Sequence, residues 1–142
     1  MKLLVVSPHP DDETLGAGGT LLRYKKEGHQ IYWLNITDMK TSDGWNEKQV
    51  IHRQKQLKRI NEFYSFDGFY NLAFPPTKLK SMEEGEIITN IRRVFDKVRP
   101  EWILIPSRYD AHSDHLVVYD CCMACAKTFR TPYIKRITTM EI

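Results

Sequence analysis

The sequence predicts an α/β fold, and three observations predict it. Short apolar runs alternate with amphipathic stretches along the whole chain. The runs are dense in Val, Ile, Leu and aromatic residues, as expected of strands covered on both faces. The two most polar motifs each come directly after such a run, and open α/β sheets bind ligands beyond the carboxyl ends of their strands. Together these describe a Rossmann-like three-layer sandwich with a mostly parallel sheet.

The elements follow in order. Leu3 to Ser7 reads as a buried strand, and Thr14 to Glu27 as a helix stopped by Gly28. Ile31 to Thr37 is a second strand, rich in β-branched and aromatic residues. After the polar loop Asp38 to Asn46, Glu47 to Phe63 carries Val50, Leu57 and Ile60 near helical spacing. Gly68 to Leu72 is a short strand, ended by Phe74-Pro75-Pro76. Met82 to Val98 places Ile87, Ile91, Val94 and Val98 on one helical face. Trp102 to Pro106 is a further buried strand, Arg108 to Asp114 a polar loop, His115 to Phe129 a helix, and Ile134 to Ile142 a last strand. The chain then stops inside an apparent strand. We therefore expect residues 1–142 to be one domain, truncated at its C-terminal side and forming the N-terminal part of a longer one.

Composition narrows the class. With 142 residues, 42% hydrophobic and 27% charged, the chain can build one core and is not disordered in character. Its net charge of +3 comes from scattered residues, which argues against nucleic acid as a partner. No segment approaches the roughly 20 apolar residues of a membrane-spanning helix, and no signal peptide precedes the first strand. A cytoplasmic location is the expectation. Cys121, Cys122 and Cys125 are odd in number and close together, which suits a packed helix face better than a disulfide framework or a second metal cluster.

The first chemical motif is Ser7-Pro8-His9-Pro10-Asp11-Asp12-Glu13, at the handover from first strand to first helix. Clustered carboxylates repel one another unless a cation compensates. His9 and Asp12 are three apart across a proline turn, and imidazole and carboxylate are both good zinc ligands. The alternative is a helix N-cap by Asp12 or Thr14, with Asp11 and Glu13 at the positive helix end, which leaves His9 idle. The glycines that follow, Gly16, Gly18 and Gly19, lack the spacing of a dinucleotide loop and read as close helix packing. The second motif is Asp110-Ala111-His112-Ser113-Asp114-His115, again between a strand and a helix. His115 supplies a third ligand, and two histidines with one carboxylate and an open position suit a catalytic zinc. His112 is then available as an acid or electrostatic donor, and Asp114 can hold an imidazole in the needed tautomer. Capping by Ser113 or Asp114 is the alternative here. The two motifs together predict convergence at one place, which caps alone do not require.

On Pro8-His9-Pro10-Asp11-Asp12-Glu13 with Gly16 to Thr20, and on His112-Ser113-Asp114-His115, the sequence resembles the N-acetylglucosaminyl-phosphatidylinositol de-N-acetylase family, also called PIG-L or LmbE-like proteins. The resemblance runs from residue 2 to the end, and Met140-Glu141-Ile142 looks like the start of a further family segment. It implies zinc-dependent hydrolysis of an N-acetyl sugar. By position His9, Asp12 and His115 match the metal ligands and Asp11 the general base. His112 matches the histidine that stabilises the oxyanion or protonates the amine, with Asp114 beside it. Arg53 matches an arginine that contacts substrate. Family members often carry a glutamate three residues after that arginine, where this chain has Gln56.

The expected chemistry is therefore loss of acetate from an amino sugar or its glycoconjugate. Zinc lowers the pKa of water toward about 7, Asp11 accepts its proton, and zinc with a protonated His112 stabilises the oxyanion. Fe²⁺ is an alternative metal, because availability weighs as much as geometry. The rival readings are a zinc hydrolase for another amide or ester, and an inactive sugar-binding protein of the same fold. The sugar is not specified by the sequence, and a homo-oligomer is left open. The aromatic group Phe63, Tyr64, Phe66, Phe69 and Tyr70 reads as core and sheet packing, and Trp45 as the better candidate for a sugar contact.

Overall fold

The structure is a computed structural model and describes residues 1–142. Five strands form one sheet: β1 (Lys2–Ser7), β2 (Gln30–Thr37), β3 (Gly68–Phe74), β4 (Trp102–Pro106) and β5 (Arg136–Met140). Their order is β3-β2-β1-β4-β5, and every pairing is parallel. Four helices cover it: α1 (Asp12–Lys26), α2 (Glu47–Tyr64), α3 (Glu84–Val98) and α4 (Ser113–Cys125). The α/β expectation holds, and the sheet is wholly parallel.

The period-2 geometry of strands divides the apolar residues into two cores. Leu3, Val5, Ile31, Trp33, Trp102 and Leu104 face α1 and α2, which contribute Ala17, Leu21, Leu57 and Tyr64. Leu4, Val6, Leu34, Ile36, Ile103 and Ile105 face α3 and α4. The register brings these residues side by side, with Leu3 opposite Ile31 and Trp102, and Val5 opposite Trp33 and Leu104. On α3 the predicted stripe Ile87, Ile91, Val94 and Val98 is buried, joined by Phe95. Cys121, Cys122 and Cys125 are free thiols buried in the same core, and burial pushes Cys121 up to about 12 and Cys125 up to about 11. They are packing residues there.

Several boundaries differ from the sequence reading. Helix α1 begins at Asp12, two residues early, so both carboxylates of its first turn are helical. Helix α4 begins at Ser113 and ends at Cys125, well short of Phe129. Strand β5 is limited to Arg136–Met140, and β3 runs on to Phe74 past a register shift. Residues Leu79–Ser81 form a short 3-10 turn before α3, which starts at Glu84 rather than Met82.

Strands β1 and β4 are neighbours, yet the chain leaves β1 toward β2 and returns to β4 on the other side. This reversal makes their carboxyl ends the switch point where doubly wound sheets open a crevice. Both chemical motifs start there, one following β1 and the other following β4.

Candidate metal centre

At the end of β1 the chain turns through Pro8-His9-Pro10 into α1. The turn is braced from below. Trp33 Nε1 donates to Ser7 Oγ (2.9 Å), and Ser7 Oγ donates to Glu13 Oε2 (3.1 Å). Glu13 is fully buried and also accepts from the Asp11 backbone N–H and the Thr14 hydroxyl, each at 3.1 Å. Burial raises the Glu13 pKa despite those donors. Glu13 thus props the turn.

The capping alternative is not realised in α1. Asp11 holds the N-cap position at φ 123°, ψ −24°, without a capping hydrogen bond from its side chain. Asp12 turns back and accepts from the His9 backbone N–H at 2.8 Å. That bond presents its Oδ2 to two imidazoles. His115 Nε2 lies 3.2 Å from it and His9 Nδ1 3.7 Å, with 3.4 Å between the two nitrogens. Tetrahedral ligands at about 2.0–2.2 Å from one ion are separated by about 3.3–3.6 Å. The triangle His9 Nδ1, Asp12 Oδ2 and His115 Nε2, with edges of 3.2, 3.4 and 3.7 Å, comes within about 0.1 Å of those dimensions, and both N and O donors suit a divalent metal. The residues present therefore fit the ion that the motifs imply.

The outer nitrogen of His9 is held by a carboxylate. Asp114 is fully buried, and its Oδ2 lies 2.8 Å from His9 Nε2. It also accepts the backbone N–H groups of Thr77 (2.7 Å) and Leu79 (3.2 Å). Burial alone would raise the Asp114 pKa; the His9 bond and the two amides outweigh it and hold the carboxyl low. A second grouping, His9, His112 and Asp114, is also close enough to suggest an ion. There Asp114 Oδ2 is already shared between His9 Nε2 and the Thr77 backbone N–H, so the first triangle is the metal candidate.

His112 is itself the N-cap of α4, so the alternative of a cap by Ser113 or Asp114 is not realised. Its ring centroid lies 4.4 Å from that of His9. Asp11 is exposed beside the triangle, its carboxyl raised by desolvation and then by Asp12, against His9 and Arg53. Arg53 reaches over from α2 and donates to the Pro10 carbonyl at 3.4 Å, leaving its Nε buried without a partner. A groove of about 570 Å³ opens at Asp11 and Arg53 between α1 and α2, walled by Leu15, Ile60 and Phe63. Phe63, expected in the core, is 64% exposed on this wall.

The structure thus brings His9, Asp11, Asp12, His112, Asp114 and His115 to one crevice, with Arg53 at its edge. Sequence reasoning assigned no role to Asp110, Thr77 or Leu79. Asp110 had a signal, its place two before His112; the amides of Thr77 and Leu79 had none. Trp45 is half-buried in the loop after β2.

Fold and site define a wholly parallel α/β protein with a two-histidine, one-carboxylate centre at its switch point. The chain belongs to the PIG-L family, described as GlcNAc-PI de-N-acetylase, whose family model matches residues 4–126. It is 34% identical over 123 residues to diacetylchitobiose deacetylase of Thermococcus kodakarensis, covering 80% of this chain and 45% of the relative. It is 25% identical over 121 residues to a probable N-acetyl-alpha-D-glucosaminyl L-malate deacetylase 2 of Bacillus anthracis, covering 80% and 54%. A conserved protein of Thermus thermophilus superposes with TM-score 0.80 at 28% identity, covering 97% of this chain and 64% of that one. The chain spans about half the length of the curated relatives it matches. No helix is long and apolar enough to cross a membrane.

Proposed function

We propose that the protein is a zinc-dependent hydrolase that removes the N-acetyl group from an amino sugar or its glycoconjugate. The observation that carries this reading is the triangle of His9 Nδ1, Asp12 Oδ2 and His115 Nε2 beside an Asp11 carboxylate that caps nothing. Family membership and relatives named for deacetylation of N-acetylated sugars support it.

His9, Asp12 and His115 would hold the metal, and Asp114 fixes His9 with its Nε2 proton outward and Nδ1 free to ligate. A bound divalent metal supplies Lewis acidity and an activated water. Asp11 takes the proton as the water oxygen bonds to the acetamide carbon. His112 Nδ1 accepts from a backbone N–H and so carries no proton, which leaves its proton on Nε2. His112 therefore donates to the developing oxyanion through Nε2–H. The C–N bond then breaks as the proton held by Asp11 passes to nitrogen, and acetate and the free amine leave. Arg53 and the groove beside Asp11, whose volume falls in the usual range for ligand pockets, hold the rest of the sugar.

The test is acetate release from N-acetylglucosamine compounds by metal-stripped protein before and after zinc, with His115→Ala as control. Zinc-dependent release lost in the variant is expected. Stoichiometric zinc uptake without release from any N-acetyl sugar would defeat the deacetylase reading while keeping the metal centre.

A further inference from the structure

His115 is almost fully buried, and its two nitrogens face different groups. Nε2 points into the triangle, toward Asp12 and His9. Nδ1 points away, is buried, and has no aligned hydrogen-bond partner; Asp110 Oδ2 lies 3.2 Å from it. The other oxygen of the same carboxylate accepts the His112 backbone N–H at 2.9 Å. Asp114 cannot take this place, because its oxygens are occupied by His9, Thr77 and Leu79.

We infer that Asp110 is a positioning residue that holds His115 in the tautomer with its proton on Nδ1, leaving Nε2 free for the metal. The inference rests on the metal-centre reading above. Hydrogen bonds around such sites are often poorly aligned before ligand is bound and tighten afterwards, which fits a contact that is close but off axis. Each metal-binding imidazole then has a carboxylate on its outer nitrogen, Asp114 for His9 and Asp110 for His115. Asp110 also ties His112, the oxyanion donor, to the same frame, so one side chain sets the spacing between metal ligand and donor.

The two oxygens of Asp110 can be separated by substitution. In Asp110→Asn the amide oxygen still accepts from the His112 N–H. Its NH₂ then faces His115 Nδ1, which must become an acceptor, and the ring proton moves to Nε2, onto the metal side. Asp110→Ala removes both contacts. Zinc affinity is measured by competition with a chromophoric chelator, alongside the melting temperature of each metal-free variant. At a pH where His115 is neutral, we expect metal-free Asp110→Asn to melt with the parent yet bind zinc about 10–100-fold more weakly, and Asp110→Ala to be weakened at least as much. Parent-like affinity in Asp110→Asn would show that the carboxylate matters only as a backbone acceptor, and would overturn the inference alone. A loss of affinity matched by a fall in metal-free melting temperature would overturn it as well. A parent chain that takes up no zinc would overturn the metal centre and this inference together.

Discussion

Asp11 adopts a backbone conformation, φ 123°, that side-chain-bearing residues rarely take. Such strain costs on the order of 1–3 kcal/mol and persists only where the surroundings impose it. Here the imposing contacts are the Asp11 N–H on Glu13 and the Asp12 carboxylate on the His9 N–H. Asparagine is among the residues most tolerant of positive φ, so Asp11→Asn tests the carboxylate without breaking the turn. That variant should keep zinc and lose about 10²–10⁴ in rate; undiminished acetate release would remove Asp11 as the base. His115 gives a prediction of opposite sign for two states of the protein. Burial would lower its pKa, but Asp12 and Asp110 outweigh burial and hold it above 6.5. In the metal-free chain the raised folded-state pKa stabilises fully below 6.5, and that stability is lost as pH rises through the raised value. With zinc the proton on Nε2 must leave, so affinity improves over the same rise in pH. Melting temperatures against pH, with and without zinc, should therefore slope in opposite directions across this window; parallel slopes would exclude His115 as a ligand.

At the scale of elements, the glycines of α1 separate two effects. A Cβ on Gly16 would lie 2.8 Å from Met140 Cβ and 3.2 Å from Ile142, close to the β5 backbone. A Cβ on Gly18 would meet the Tyr64 hydroxyl at 2.8 Å, whereas one on Gly19 meets nothing within 4 Å. Replacing helical glycine by alanine gains about 0.8–1.0 kcal/mol of propensity, and overpacking costs about 1–3 kcal/mol. Gly19→Ala should therefore stabilise by about 1 kcal/mol, and Gly16→Ala should be neutral to destabilising by about 2 kcal/mol. Urea midpoints read both, and equal gains at the two positions would contradict the packing of Met140 on α1. The packing role of Gly16 and Gly18 was legible from the failed loop spacing, whereas Gly19, read the same way, packs against nothing. Also legible were the strands, whose apolar runs leave little choice, and the two motifs. Helix starts were less legible because the caps are unusual: α1 has no side-chain cap, and α4 is capped by His112, a residue outside the usual set. The amides of Thr77 and Leu79 were invisible, since they meet Asp114 only after α3 and β4 have brought distant segments together.

On the scale of the whole molecule, one sheet serves two cores. Leu21 lies in the core under α1 and α2, and Ile91 in the core under α3 and α4, each fully buried. Adjacent residues of β1 belong to opposite cores, so neither core can be lost while the other keeps its strands. Leu21→Ala and Ile91→Ala should each cost about 2–5 kcal/mol and each unfold in one transition. The metal centre adds a tie of a different kind. His9 and Asp12 follow β1, His115 follows β4, and an ion held between them would bridge the two halves at the point where the chain reverses. A ligand that binds only the folded chain stabilises it by RT ln(1 + [L]/Kd), about 4 kcal/mol at a thousandfold excess over Kd. The increment depends on the site and not on which core is weakened, provided both variants bind zinc as the parent does. Zinc should therefore raise the urea-unfolding free energy of the parent, Leu21→Ala and Ile91→Ala by the same amount. A gain confined to one variant, or two separable transitions, would mean that the halves on either side of β1 and β4 unfold independently and that the ion does not span them.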